Sequence, residues 1–216
     1  MNWYKLAEAA LNITPDQFQA MTYKEKKALA QNRSIFFQTQ QLFFTEKYWD
    51  KNEIIWDLAE NTSISPQTQL LFFTQEYSGK IVALQYLALN PSITPEIQTL
   101  FFTQEYEDKS NILWHLAQNT SISLQAQLLF FTVKYKTNLN ALYQLAQNRS
   151  ISPQTQLLFF TTEYDYKHRV LKHLFDNPSF LKGVTPKEMR EITKIKEARL
   201  YVYKKRFKDI KAMVLL

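Results

Sequence analysis

Apolar residues along this chain form two short amphipathic stretches that return at a fixed interval. A period of roughly 20 to 50 residues is typical of repeat proteins, in which each unit buries its apolar face against its neighbours. Every interval here is 29 residues, because Leu-Ala-x-Asn begins at Leu29, Leu58, Leu87, Leu116 and Leu145, and a degenerate Leu-Phe-Asp-Asn begins at Leu174. The pattern therefore predicts a stacked array of small units.

The unit from Leu58 to Tyr86 predicts two short helices. Ser65-Pro66 places a hydroxyl at the N-cap and a proline at the first helical position, so helix A should run from about Pro66 to Tyr77. Helix B should run from about Lys80 to Ala88. Asn61 follows the preceding Leu-Ala motif, and we expect it to end that helix in the left-handed conformation.

The same helix-start signal recurs along the chain. Capping-box spacing, in which the third helical residue reaches back to the N-cap amide, is present at Thr14 with Gln17 and at Thr185 with Glu188. The other predicted starts are Thr94-Pro95 and Ser152-Pro153.

Stacked repeats place equivalent residues side by side, so the repeats can be compared column by column. An aromatic column that recurs in every unit indicates a core spine rather than a ligand site. The Asn column is more typical of helix caps, joined by hydrogen bonds into a ladder from repeat to repeat, than of a binding site. The columns are Phe44, Phe73, Phe102, Phe131 and Phe160; Tyr48, Tyr77, Tyr106, Tyr135 and Tyr164; and Asn32, Asn61, Asn90, Asn119, Asn148 and Asn177.

The segment from Asn90 to Ile97 reads Asn-Pro-Ser-Ile-Thr-Pro-Glu-Ile. It resembles the Asn-Pro-x-Thr-Pro-x-Glu-Leu signature of the leucine-rich repeat variant family, a right-handed α-solenoid class related to HEAT and armadillo repeats. The resemblance extends over about Ala28 to Phe180 and implies a scaffold rather than an activity. One family member holds an iron–sulfur cluster through cysteines, and this chain has no cysteine.

The expected fold is thus all-α, a right-handed α-solenoid of two-helix repeats. We expect an N-terminal cap over residues 1–28, five to six repeats over 29–181, and a basic amphipathic capping helix over 182–216. With 216 residues, 45% of them hydrophobic, only 2 glycines and no linker-like stretch, a single continuous domain is the simplest interpretation.

The absence of cysteine fits a reducing compartment. Residues Met1 to Asn12 lack the pattern of a signal peptide, and no apolar run reaches the roughly 18 residues that a transmembrane helix needs. We therefore expect a cytoplasmic protein.

Positive charge is concentrated at the C-terminal end. Residues 182–216 hold 11 Lys and Arg against 4 Asp and Glu, whereas the preceding 181 residues hold 15 and 16. A basic helix here could simply cap the last repeat, or its basic side could meet an acidic partner, nucleic-acid phosphates or an anionic membrane. The residues of this nucleic-acid alternative are Arg190, Lys194, Lys204, Lys205, Arg206 and Lys208.

The repeats differ most in the outward positions of their second helices. Trp and Tyr mixed with polar residues along one face are typical of protein-recognition surfaces, although the same rings could pack between repeats. One column is Trp56, Gln85, Trp114, Tyr143 and Lys172, and its neighbour is Asp57, Tyr86, His115, Gln144 and His173. The sequence therefore predicts a protein partner that binds this face.

The sequence does not indicate catalysis. It has no Gly-rich phosphate loop, Gly-x-Ser-x-Gly elbow or His-Glu-x-x-His motif, and the spacing of His115, His168 and His173 does not suit a shared metal. We expect a non-catalytic scaffold with no cofactor and no metal. A helical-repeat enzyme of the DNA-repair type is the remaining alternative.

Overall fold

A computed structural model describes residues 12–180, and this part of the chain is helical throughout, without strands. First (A) and second (B) helices alternate, and neighbouring helices pack in a repeated pattern, which confirms the all-α repeat class. The A helices are α1 (Pro15–Ala20), α3 (Phe37–Thr45), α5 (Pro66–Thr74), α7 (Pro95–Thr103), α9 (Leu124–Leu129) and α11 (Pro153–Thr161). The B helices are α2 (Tyr23–Gln31), α4 (Lys51–Glu60), α6 (Lys80–Leu89), α8 (Lys109–Gln118), α10 (Leu139–Gln147) and α12 (Lys167–Asp176). None of these described helices has the length and apolarity needed to cross a bilayer.

The predicted helix starts are confirmed wherever the structure describes them. The hydroxyls of Ser65, Thr94 and Ser152 each accept a hydrogen bond from the backbone N–H three residues later. Thr14 and Gln17 form the complete capping box. Both partners of each cap are supplied locally, so these starts do not depend on tertiary packing. The start expected at Thr185 lies outside the described residues.

The A helices end earlier than predicted. Helix α5 ends at Thr74 and not near Tyr77, and the chain is already extended at Gln75. Two side chains replace the missing helical turn, because Lys80 Nζ donates to the carbonyls of Phe73 (3.0 Å) and Gln75 (2.9 Å), and Tyr77 Oη donates to that of Phe72 (3.2 Å). They satisfy carbonyls at the helix end, which have no partner within the helix. Lys51 and Lys167 occupy the equivalent place in their repeats.

A left-handed residue precedes four of the B helices. This position is Asp50, Gly79, Asp108 or Tyr166, with φ between 49° and 75°. At Gly79 a Cβ would also lie 3.2 Å from two atoms of the Asn52 side chain. Glycine therefore suits both the left-handed backbone and the close packing at this position.

The Asn column does not adopt the predicted left-handed conformation. Asn61 is extended, with φ −66° and ψ 115°, and the other C-cap asparagines are similar. Its side chain instead links repeats, since Asn61 Nδ2 donates to the carbonyls of Ala30 (2.7 Å) and Asn32 (2.8 Å) while Oδ1 accepts from Ser63 N–H (2.9 Å). The expected ladder is therefore present, and it satisfies the last carbonyls of the preceding B helix.

A second ladder, which the sequence analysis missed, runs through the buried glutamines of the A helices. Gln69 Nε2 donates to Ile64 O (3.2 Å) and to Ser92 O (3.1 Å) in the next repeat, and Gln69 Oε1 accepts from Thr94 N–H (3.1 Å). The column comprises Gln40, Gln69, Gln98, Gln127 and Gln156, all buried. Each glutamine thus ties its helix to the loop that opens the following A helix.

Two phenylalanine columns fill the core between A helices. Four members of the predicted column are buried and Phe73 is half-buried, while the preceding residues Phe43, Phe72, Phe101, Phe130 and Phe159 are fully buried. Rings from adjacent repeats meet edge to face, with centroids 5.0 Å apart for Phe44 and Phe72 and 4.9 Å for Phe73 and Phe101. Burial of each such ring contributes on the order of 2 to 3 kcal/mol.

The B helices pack more closely on one another than the A helices do. The difference follows from residue size, because fully buried alanines such as Ala59, Ala88 and Ala117 lie in the B layer where phenylalanines lie in the A layer. Small side chains let helix axes approach. The residue columns predicted to form a binding face therefore lie on the tightly packed layer of B helices.

The chain forms two compact units, residues 1–121 and 122–216, of which 12–121 and 122–180 are described. The proposed cap boundary at residue 28 falls within α2, and the C-terminal helix proposed over 182–216 lies outside the described residues. Charge differs between the units: residues 12–121 hold 8 Lys and Arg against 12 Asp and Glu, and residues 122–180 hold 6 against 3.

The second unit begins with an irregular repeat. Helix α9 has only six residues and lacks the proline at its start, since Leu124 takes that place. Asn138 replaces the lysine that closes the A helix elsewhere, and its side chain caps α10 by accepting from Ala141 N–H (3.3 Å). The strict 29-residue spacing therefore does not guarantee the same local structure.

Candidate binding face

The predicted face residues are neither fully exposed nor fully buried. Trp56, Trp114 and Tyr143 are half-buried, as are Asp57, Tyr86, His115, Gln144, His173 and Gln85, and Lys172 is exposed. The structure brings residues 56, 57, 85, 86, 114 and 115 together in the first unit and residues 143, 144, 172 and 173 in the second. Full burial of the three large rings would have removed the basis for a recognition surface, and it does not occur.

The aromatic rings of the first unit contact their neighbours and keep part of their surface open. Trp56 Nε1 donates to the carbonyl of Gly79 (3.3 Å), and its ring lies 6.4 Å from that of Tyr86 on the next B helix. The rings of Trp114 and His115 meet edge to face at 4.7 Å. These contacts fix the orientation of the rings, so little side-chain entropy would be lost when a partner binds.

One end of the first unit carries paired charges. Lys27 Nζ lies 3.5 Å from Asp57 Oδ2, and Gln31 donates to Asp57 Oδ1 at 2.9 Å. Tyr23 Oη donates to Glu53 at 2.6 Å, which raises the pKa of the Tyr23 phenol. Cations on α2 therefore meet carboxylates on α4, and this end of the face is electrostatically balanced.

The middle of the same unit is different. Helices α6 and α8 carry no Lys, Arg, Asp or Glu after their first residue. Val82 is half-buried and Leu89 is 40% exposed; both lie on α6 with Tyr86, and the helices packed on α6 carry Trp56 and Trp114. We call the set Trp56, Val82, Tyr86, Leu89, Trp114 and His115 the uncharged aromatic face.

His115 gives this face a polar group without charge. Its Nδ1 is buried and has no hydrogen-bond partner within the described residues. Burial lowers the pKa of His115 below its usual 6.5, against a weaker opposing effect of Asp108. The imidazole is therefore neutral at pH 7, and its buried nitrogen has hydrogen-bonding capacity that the fold leaves unused.

A groove of about 600 Å³ adjoins the uncharged aromatic face. It lies between the turns that connect α5 to α6 and α7 to α8, and Val82 belongs to both the groove and the face. Tyr77, Ile81 and Tyr106 form apolar parts of its wall, and Glu76, Glu105 and Glu107 contribute carboxylates, of which Glu76 pairs with Lys80. The face thus continues into a concave, acidic-edged surface.

The second unit presents a separate, basic face. Tyr143 and His173 meet edge to face at 5.1 Å, and Gln147 Nε2 lies 2.6 Å from His173 Nδ1. His168, Arg169 and Lys172 are exposed on α12. No group of three or more His, Asp or Glu side chains within residues 12–180 is arranged to hold a metal ion.

Some predicted binding residues lie outside the described part of the chain, and the face contains two residues that were not predicted. The six basic residues of the nucleic-acid alternative, between Arg190 and Lys208, lie outside the described residues. Sequence reasoning missed Val82 and Leu89, although both are signalled by apolar residues in columns that hold Glu53 and Glu60 one repeat earlier. An aliphatic residue in an otherwise polar outward column was the available clue.

No family model, curated protein or solved structure matches this chain. The protein is accordingly defined by its class, an all-α helical repeat protein with a candidate binding face on its B helices. The resemblance to the leucine-rich repeat variant family stays a prediction.

Proposed function

We propose that this chain is a non-catalytic protein-binding scaffold whose uncharged aromatic face receives the partner. The observation that carries the proposal is that α6 and α8 have no charged residue after their first position, while three partly open aromatic rings lie on α4, α6 and α8. The centres of protein interfaces are depleted in charged residues and enriched in Trp and Tyr, and such residues often dominate the binding energy.

The surroundings of the face support the same function. Paired side chains on α2 and α4 border it at one end, and the acidic-edged groove borders it at the turns. A polar rim around an apolar centre excludes water from the centre and sets the orientation of the partner. His115 adds an uncharged imidazole edge to this centre, because burial lowers its pKa.

A second candidate function is nucleic-acid binding through the C-terminal segment. The observation that favours it is the excess of 11 Lys and Arg over 4 Asp and Glu in residues 182–216. Phosphate contacts release counterions, so such binding weakens steeply as salt rises, whereas binding through an uncharged face does not.

The test is quantitative affinity capture from the native cell extract with the full chain as bait. Three baits are compared: the unchanged chain, Trp56→Ala combined with Trp114→Ala, and the control Trp49→Ala. Trp49 is 91% exposed and lies in the turn before α4, outside the face. We expect specific proteins that survive nuclease and 0.5 M salt to be lost with the face variant and kept with the control.

Loss of the same proteins with Trp49→Ala, or their retention by the face variant, would show that the face is not the binding surface. If only nucleic acid is recovered and salt removes it, the second candidate replaces the first. Circular dichroism of each bait verifies that the variants remain folded.

A further inference from the structure

The groove between the turns that connect α5 to α6 and α7 to α8 continues the uncharged aromatic face. Its volume is about 600 Å³, and its lining includes the apolar side chains of Ile81, Val82 and Leu84. Because Val82 belongs to both surfaces, an extended segment that lies on the face can continue into the groove. The groove therefore offers a second contact area to a protein that binds the face.

The tyrosines of the groove present carbon surface rather than hydroxyl groups. Tyr77 Oη donates to the carbonyl of Phe72, and Tyr106 Oη donates to that of Phe101, so both hydroxyls are turned toward the A helices. Both rings are half-buried, which leaves part of each ring accessible. Rings fixed in this way can hold the apolar stem of a long side chain or the flat surface of a guanidinium group.

Negative charge predominates along the groove. Its lining holds three carboxylates, those of Glu76, Glu105 and Glu107, against one ammonium group, that of Lys80, so the net formal charge is −2. Glu107 is exposed, and no cation of residues 12–180 pairs with it. The charge of the lining therefore complements a basic occupant.

The lysines near the groove are already engaged at the ends of A helices. Lys80 donates to two carbonyls at the end of α5 and lies 3.1 Å from Glu76, so its three N–H donors have partners. Lys109 donates to the carbonyl of Gln104 at 2.6 Å and lies 3.6 Å from Glu105. The two paired glutamates are 91% and 76% exposed. Water screens such pairs, and each carboxylate keeps surface open to a second cation.

The turn from α7 to α8 is more acidic than the equivalent turns of the first unit. Residues 46–51 hold two acids and two lysines, and residues 75–80 hold one of each. Residues 104–109 hold three acids, Glu105, Glu107 and Asp108, against one lysine. Acidic residues therefore accumulate in the turn that leads from the groove into α8, the helix of Trp114.

We propose that the groove binds an arginine- or lysine-bearing segment of the protein that occupies the uncharged aromatic face. The inference rests on the proposed function, because it names the chemistry of the same partner. The carboxylates accept hydrogen bonds from the guanidinium or ammonium group, while the tyrosine rings and Ile81 contact the apolar stem of that side chain. The occupant is thus a basic peptide segment next to an apolar anchor.

The test selects binders of the full chain from a phage-displayed library of random peptides and measures the affinity of the selected peptides by fluorescence anisotropy. The groove variant is Glu105→Gln with Glu107→Gln, and the face variant is Trp56→Ala with Trp114→Ala. The full chain has a formal net charge of +6, so its overall charge does not favour basic peptides. Enrichment of Arg and Lys therefore reports a local site.

The matched control is Glu163→Gln with Asp165→Asn. These two residues occupy the columns of Glu105 and Glu107 two repeats later, in the second unit. Glu163 lies 3.8 Å from Lys167, as Glu105 lies 3.6 Å from the lysine four residues after it. The control thus removes the same number of charges and an equivalent ion pair, away from the groove.

We expect the selected peptides to combine Trp, Phe or Leu with Arg or Lys. Near 100 mM salt the groove variant should bind them roughly five- to thirtyfold more weakly, and the control less than about twofold. At 0.5 M salt the effect of the groove variant should fall below about threefold, because salt screens the ion pairs and leaves the contacts of the rings. Glu107→Lys should prefer a peptide whose Arg is replaced by Glu, an exchange that a structural role for Glu107 would not produce.

Peptides without an excess of Arg and Lys over the library frequency would overturn the inference, and so would an equal loss of affinity in the control. Salt-sensitive self-association that the groove variant abolishes would also overturn it, because the occupant would then be a second copy. Binding that needs the two glutamates but not the tryptophans would contradict the proposed function and support the basic groove. The reverse result would contradict the groove alone. Unchanged thermal unfolding of the groove variant excludes a folding defect.

Discussion

The Asn ladder makes a quantitative prediction about stability at Asn90. This side chain is buried, and its Nδ2 donates to the carbonyls of Ala59 (2.7 Å) and Asn61 (3.0 Å) in the preceding repeat. Its Oδ1 accepts from Ser92 N–H at 2.9 Å. Asn90→Ala removes all three bonds and leaves the carbonyls at the C-terminal end of α4 without that donor.

The expected loss follows from these contacts. A hydrogen bond contributes about 1 kcal/mol net, and a buried polar group left without a partner costs about 1 to 3 kcal/mol. Removal of three bonds, with partial access of water to the carbonyls, should therefore lower the free energy of unfolding by about 3 to 5 kcal/mol. Domains of this kind are stable by only about 5 to 15 kcal/mol, so the substitution should remove a large share of the total.

The assay is urea unfolding followed by far-UV circular dichroism and by tryptophan fluorescence. Asn90→Asp separates size from hydrogen bonding, because it keeps the Oδ1 acceptor but turns a carboxylate oxygen toward two carbonyls, and we expect it to be at least as destabilising at pH 7. Asn140→Ala is the control, since Asn140 is exposed and alanine has the higher helix propensity. A loss below 1 kcal/mol in Asn90→Ala would refute the ladder as a source of stability.

Three further predictions concern the core, the turns and the tyrosines. Phe101→Ala should cost about 3 to 5 kcal/mol in urea unfolding because Phe101 is fully buried, whereas Leu70→Ala, at 44% exposed, should cost under 1 kcal/mol. Gly79→Ala should lower the free energy of unfolding by about 1 to 3 kcal/mol, through its φ of 75° and the contact with Asn52, and thermal denaturation measures it. Burial raises the pKa of three phenols well above 10, so in an ultraviolet titration they should stay protonated at pH 11 in the folded chain. Their stabilising effect is complete below the unfolded pKa of about 10 and falls as pH rises beyond it, because the unfolded phenols then ionise; an unfolding free energy that did not fall above pH 10 would contradict this. These residues are Tyr48, Tyr77 and Tyr164.

The candidate face was only partly predictable from the sequence. Trp56 and Trp114 stood out as variable aromatic residues over a constant core, and their columns could be placed on B helices. Their half-burial depends on how closely the next B helix approaches, which in turn depends on the alanines between the helices. The pairing of Lys27 with Asp57 likewise depends on contact between two helices, because these residues are 30 positions apart in the chain.

The sequence by itself determined the repeat, the helix starts and the all-α class, because caps such as Thr14 with Gln17 are completed by residues three positions apart. Tertiary structure decided what happens at the other ends of the helices. Asn61 is extended because its amide donates to the preceding repeat, and α5 stops at Thr74 where Lys80 and Tyr77 reach its last carbonyls. Helix starts are satisfied locally, whereas these helix ends are satisfied by side chains that only the fold brings within reach.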